Sequence, residues 1–334
     1  MAASGALFTV SSVSICRIWI SFVLLWFGLR AHAADFEGFG ATVGGDRSPV
    51  VTVTSLEDSG PGTLREALQA GRRRVVFKQG GVITLKKALI IKGPNVTADG
   101  EGAAGLVLRG APDVILRHLR VRDSADDNIR IIGKCRRVVI DHCSSTHAGD
   151  GALDITHDYK NPADRPAEIT ISWCLIGDTK KAMLIGGADK VSLHHNLFLG
   201  NEQRSPQLHD VRGFDLRNNV IDRWGIYGTR VRAGSTGNIV NNWFGLSTNK
   251  KLPELALILE GQTGDNPNAA AGLVHASGNL SITKINLDRL STAPNPAAAP
   301  RVAVSPVAQL RAILNKSAGA RPLDKVDQAI LTAH

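Results

Sequence analysis

A seven-residue phrase recurs along the middle of this chain, and internal repetition with a period of about 20–50 residues leaves few architectures open. The copies are Arg137–Cys143, Glu168–Cys174, Lys190–Asn196, Gly213–Asn219 and Thr236–Asn242, with Asp113–Leu119 as a degenerate first member. Their last positions lie 24, 31, 22, 23 and 23 residues apart. Each copy alternates apolar and polar residues, as in Val191-Ser192-Leu193-His194, which is the period of a half-buried strand. A helix would need apolar residues three and four apart, and these runs lack them. One such unit cannot bury its own face, whereas stacked coils share a continuous core. The expected fold is therefore all-β: a right-handed parallel β-helix with short capping helices, the hand following from the general rule for parallel crossovers.

Asn196, Asn219 and Asn242 share one repeat position, and Asn279 is a candidate fourth after 37 residues. Asn at a tight bend can bond both its own coil and the next, so the register predicts an asparagine ladder. Cys143 and Cys174 occupy the same position on earlier coils. Neighbouring strands are about 4.8 Å apart, so either a disulfide or two buried free thiols fits there.

Residues 1–33 read as an export signal: Arg17 precedes the apolar run Ile18–Leu29, and Ala31-His32-Ala33 has a small-x-small cleavage pattern. Its removal leaves residues 34–334 as a single catalytic β-helix domain, destined for the medium or the periplasm, with no stable membrane association. Residues 291–334 begin in a Pro- and Ala-rich stretch and are expected to run as a strap packed on the coil. Net charge falls from +9 to +7 on processing, because only Arg17 and Arg30 are lost. A basic exported protein points to an acidic partner. Aromatic residues make up only 5% of the chain and no nucleic-acid module is evident, so an acidic extracellular polymer is preferred.

Several motifs occur in a family order. They include Gly38-Phe39-Gly40-Ala41, Ser59-Gly60-Pro61-Gly62-Thr63-Leu64-Arg65-Glu66-Ala67, Asp127-Asn128-Ile129-Arg130, Val139-Ile140-Asp141-His142-Cys143-Ser144, Asp150-Gly151-Ala152-Leu153-Asp154-Ile155, Lys180-Lys181-Ala182-Met183, His194-His195-Asn196 and Arg204-Ser205-Pro206. Together they resemble the secreted bacterial pectate lyases of polysaccharide lyase family 1 across almost the whole mature chain. On their own, Asp150 and Asp154 are two nearby acids whose oxygens suit calcium if the chain folds back between them. The resemblance implies that Asp127, Asp150 and Asp154 are Ca2+ ligands. A fourth acid found in some members is replaced by Ala125, and Asp126 is either a solvent-facing acid or a partial substitute. The resemblance further implies that Lys181 binds a uronate carboxylate and that Arg204 abstracts the proton. The third basic contact of the family falls at His209, with Arg212 as the alternative because Asp210-Val211-Arg212 carries an extra residue.

The implied reaction is calcium-dependent β-elimination across 1,4-linked galacturonate by a monomer, giving 4,5-unsaturated oligogalacturonates. An arginine base requires neighbouring cations to disfavour its charged form, so the resemblance also implies activity at alkaline pH. Two rivals remain at this level: a β-helix glycoside hydrolase using Asp150 and Asp154 as acid and base, and a noncatalytic binder of acidic polysaccharide. The adjacent His194 and His195 do not form a zinc chelate, since neighbours on a strand face opposite sides. Trp224, Tyr227 and Arg230 are candidates to line the groove, with Trp224 equally suited to the core.

Overall fold

The structure is a computed structural model that describes residues 36–100, 106–249, 253–260 and 272–333, so the export segment 1–33 lies outside the described residues. Among these residues the strands fall into three parallel stacks. The first runs from Val50–Val53 through Pro112–Arg117, Arg136–Asp141 and Ala167–Ser172 to Thr236–Val240 and Leu273–Ser277. The second contains Arg120–Arg122, Ser144–Thr146, Leu175–Gly177, Leu197–Leu199 and Val220–Asp222. The third contains Leu106–Arg109, Ile129–Ile132, Leu153–Thr156 and Thr229–Arg232. From Pro112 onward each turn of the chain visits the three stacks in that order, and the long strands Leu184–His194 and Gln207–Arg217 carry the third stack into the first without a break. This is the parallel β-helix that the repeat predicts.

Period-two alternation explains the core. In the third stack Ile129, Ile131, Leu153, Ile155, Ile185, Leu208 and Val231 point inward and are buried, while residues 130, 154, 207, 209 and 230 take the outer face. The short helix Leu64–Ala67, capped by the Thr63 hydroxyl, closes the column with Leu64 and Ala67. Helices Leu310–Ser317 and Lys325–Thr332 cover the outside of the second stack, with Leu310, Leu314 and Ile330 packing on Leu175, Leu197, Leu199 and Val220.

The bend from the first stack to the second is made in each coil by one left-handed residue followed by the repeat's last position. The left-handed residues are His118, His142, Trp173, His195, Asn218, Asn241 and Gly278, with φ between 48° and 68°. The cost of that backbone region in non-glycine residues is offset by stacking. Trp173 lies nearly parallel to both His142 and His195, with ring centroids 5.8 and 4.2 Å away. Behind this outer row the predicted ladder forms: Asn196 N, Asn219 N and Asn242 N donate to Oδ1 of Asn219, Asn242 and Asn279 at 2.9, 3.0 and 3.0 Å. Each Asn Nδ2 returns to a carbonyl of the preceding coil, such as Leu193 O at 2.9 Å for Asn219. Cys143 and Cys174 are free, buried thiols, which decides between the two alternatives; burial and the neighbouring Cys143 push the Cys174 thiol well above its ordinary pKa.

The same bend ties the segments around Glu37 and Ser305 to the coil. Glu37 O can only accept, so His194 Nε2 donates to it (3.2 Å) and His194 Nδ1 must accept from His195 Nδ1 (3.1 Å). His195 Nε2 then accepts from Ser305 Oγ at 3.0 Å. Burial holds both imidazoles neutral, His195 down to about 3.

Two outcomes follow from this bend. Asn219→Ala leaves backbone groups of two coils without partners and is expected to destabilise by about 3 kcal/mol, read in urea unfolding; a loss below about 0.5 kcal/mol would refute the ladder's structural role. The unfolded chain binds a proton at His195 that the folded chain refuses, so the stabilisation linked to it is complete above pH 6.5 and is lost as pH falls toward 3. Unfolding free energy should therefore drop by up to about 1.4 kcal/mol per pH unit in that window, and His195→Asn should flatten the profile.

Candidate active site

The turns between the second and third stacks carry the charged residues singled out from the sequence. Backbone bridges set Gly151 beside Lys181 and Lys181 beside Gln203 on successive coils. Asn128 N donates to Gly151 O, which places Asp127 one coil earlier. Asp127, Gly151, Lys181 and Gln203 thus form one column at the edge of the third stack, with Arg204 immediately after it and Asp154 three residues on. Stacking alone brings together residues separated by some 77 positions in the sequence.

Asp127 is buried, and its Oδ1 accepts from Gly151 N at 2.9 Å. Arg130, on the outer face of the following strand, places Nε 3.6 Å from Asp127 Oδ2. Asp154 Oδ1 accepts from Leu184 N at 2.8 Å. Burial and then the charge of Asp127 push Asp154 up to about 7, against the Leu184 amide and Arg204, which favour its ionised form. Asp127 is raised for the same first reason, with Gly151 N–H and Arg130 opposing and Asp126 and Asp150 adding. Asp150 is half exposed and ion-paired with Lys181 Nζ. Two buried acids are therefore crowded beyond what their cationic neighbours neutralise.

Carboxylate oxygens of Asp126, Asp127 and Asp150 lie within 4.8 Å of one another. Oxygens that share one calcium at about 2.3–2.6 Å can be no more than about 5 Å apart, and an all-oxygen donor set is what this cation takes. The residues fit a calcium ion. Asp126 rather than Asp154 completes the converging trio, while Asp154 faces Asp127 across Gly151. That glycine is required by space: a Cβ there would sit 2.5 Å from Asp154 Oδ1 and 2.8 Å from Asp127 Oδ1.

Arg204 adopts φ 64° in the turn before the cis Ser205-Pro206 bond, and its Nε is buried without a hydrogen-bond partner. Beside it, Gln207 accepts from the Tyr227 hydroxyl at 2.6 Å, and Arg230 lies over the Tyr227 ring at 5.7 Å. His209 is exposed on the same outer face, in register with Gly186 and Arg232. Arg212 is elsewhere. It follows the left-handed Asp210, pairs in register with Asp189 and Thr236, and extends from the next corner. Trp224 is a core residue. Arg130, Gln207 and Arg232 escaped the sequence reading. Aligning the third-stack strands instead of the first would have found them, because Arg130 and Gln207 share one outward register position with Asp154, Leu184 and Arg230, and Arg232 shares the next outward position with His209.

The loop after Thr156 folds at the corner between the third and first stacks. Arg165 anchors it, donating to Asp189 Oδ1 at 3.0 Å and Asp210 Oδ2 at 2.6 Å.

Residues 31–307 match the pectate lyase family over most of the chain. The chain belongs to this family. It is 33% identical over 229 residues to the probable pectate lyase C of Neosartorya fischeri, covering 62% of this chain and 52% of that protein. It is 29% identical over 246 residues to pectate lyase 1 of Ambrosia artemisiifolia, covering 60% and 59%. The chain spans about half the length of the curated relatives it matches. These relatives are fungal and plant proteins, so the family likeness is not specific to the bacterial type. Among solved structures, the major allergen of cedar pollen, Jun a 1, superposes with a TM-score of 0.68 at 22% identity, over 86% of this chain and 93% of that one. A pectate lyase from Bacillus sp. N165 in complex with trigalacturonate gives 0.65 at 15% identity, over 85% and 98%. At these identities the superpositions establish a shared pectate lyase fold.

Were a calcium ion held by these acids, Gly151→Ala would lower its affinity at least tenfold in a calorimetric titration while the secondary structure persists; unchanged affinity would mean that Asp127 and Asp154 are not coupled through this position.

Proposed function

We propose that this protein is an exported, calcium-dependent pectate lyase that cleaves 1,4-linked galacturonate by β-elimination. One observation carries the reading: a column of acids that fits a divalent cation abuts Lys181 and Arg204 at the edge of the third stack, inside a chain of the pectate lyase family. The relatives' names and a neighbour's trigalacturonate support the substrate class.

Asp126, Asp127 and Asp150, with Asp154 behind Gly151, would hold the calcium, which supplies a Lewis acid that neutralises a uronate carboxylate as charge develops on it. Lys181 serves that carboxylate from the next coil, exchanging its ion pair with Asp150 for the substrate. Arg204 takes the proton from C5, electrons move to form the C4–C5 double bond, and the C4–O bond breaks with the glycosidic oxygen leaving. Water protonates that oxygen, since no separate acid stands out for the task. The Tyr227–Gln207 pair walls one side of the Arg204 turn. His209 supplies the third polar contact on this face, in preference to Arg212, which the register carries to another corner.

A glycoside hydrolase reading is weaker because its two acids would need separate environments for acid and base roles, whereas here the acids are crowded onto one point.

The decisive assay follows absorbance of the unsaturated product on polygalacturonate with and without a chelator. Activity should vanish with chelation and return with calcium. Arg204→Lys should reduce kcat at least 100-fold while calcium binding is retained. Reducing-end release without ultraviolet absorbance would establish hydrolysis instead, and binding without product would establish a noncatalytic solenoid.

A further inference from the structure

Beyond the residues that would do the chemistry, the outer face of the third stack continues toward the C-terminal end of the column. Two outward register columns run along it. One contains Asp154, Leu184, Gln207 and Arg230; the other contains Thr156, Gly186, His209 and Arg232. Thr156 is buried, so the second column first reaches solvent at His209 and Arg232. The next coil ends in Glu260, which is only 3% exposed and whose amide donates to Val231 O. Glu260 Oε1 accepts from Arg230 Nη2 at 2.7 Å and from Arg232 Nε at 2.5 Å.

Burying a carboxylate is costly unless it is paired, and Glu260 is answered by two guanidiniums. Arg230 is largely covered, lying against the Tyr227 ring. Arg232 retains 32% side-chain exposure, and the atom it commits to Glu260 is Nε. Its amino edge is the part of the fork suited to a second carboxylate. Because Glu260 fixes the side chain in advance, little rotamer entropy remains to be lost on binding.

We propose that Arg232, held by Glu260, is a specificity-determining subsite for the carboxylate of a uronate distant from the cleavage point. This inference rests on the reading that an acidic polymer lies along the third stack. Arg230 is three strands from Asp154 in register, about 14 Å at the usual strand spacing of about 4.8 Å. The sugar held by Arg232 is therefore a different unit of the polymer from the one at the acids, and only chains long enough to span both gain from it. A methyl ester at that unit removes the charge that Arg232 recognises.

The test compares wild type, Arg232→Gln and Glu260→Gln on polygalacturonate, trigalacturonate and highly methylated pectin. Thermal melting confirms that each variant is folded. Arg232→Gln should raise KM for polygalacturonate about 5–10-fold with kcat changed less than twofold, and should leave KM for the trimer unaltered. Its defect should disappear on methylated pectin, and Glu260→Gln should show a weaker form of the same pattern. An unchanged KM in folded Arg232→Gln, or an equal rise on trimer and polymer, overturns the proposal. If wild type has no lyase activity, the function proposed above falls, but calorimetric binding of polygalacturonate still decides this inference: equal affinity in wild type and Arg232→Gln refutes it, and weaker binding in the variant sustains it.

Discussion

Register between coils is the constraint on which everything else in this molecule depends. A parallel strand pair is evenly bonded along its length and does not by itself mark where one strand must sit against the next. Here the marking is done at the bend, where each Asn from Asn196 onward places its carbonyl on its neighbour's amide and its own amide on a carbonyl behind. A slip of one residue would break these bonds and expose the inward-facing Ile, Leu and Val. On the earlier coils the position is held by Cys143 and Cys174, whose Sγ atoms lie near backbone carbonyls. Stacked rings outside the bend cover the strained residues there.

The site inherits its geometry from that register. No secondary-structure element contains the acids, the lysine and the arginine together; they meet because equivalent turns of successive coils are superposed. The turn residues have left the ladder of the strands, so their side chains are available, yet their backbones remain bonded to the coils on either side, as with Gly151 and Lys181. The price is electrostatic: Asp127 and Asp154 sit together under burial, and both hold protons more tightly than an ordinary carboxyl. A divalent cation answers that crowding directly.

The strand period, the bend position and the ladder were legible from the sequence because they repeat, and repetition survives without any knowledge of contacts. The fourth Asn, 37 residues on, was legible for the same reason. Asp126 was harder to place. Its role depends on which way a turn directs two adjacent carboxylates, and alternation does not govern turns. Arg212 against His209 was ambiguous in the sequence because both follow Arg204 within a few residues; the pairing of His209 with Gly186 and of Arg212 with Asp189 puts the two at different corners of the coil. Arg232 and Glu260 lay in no motif, and only the outward register connects them.

Asn242 donates to Asn279 at 3.0 Å, the same geometry as between coils separated by 23 residues. The clamp is indifferent to how much chain passes between its two members, provided that both return to the bend. Such a scaffold can lengthen or exchange its loops without renegotiating its interior, so its outer surface is free to diversify while the frame beneath it stays constant.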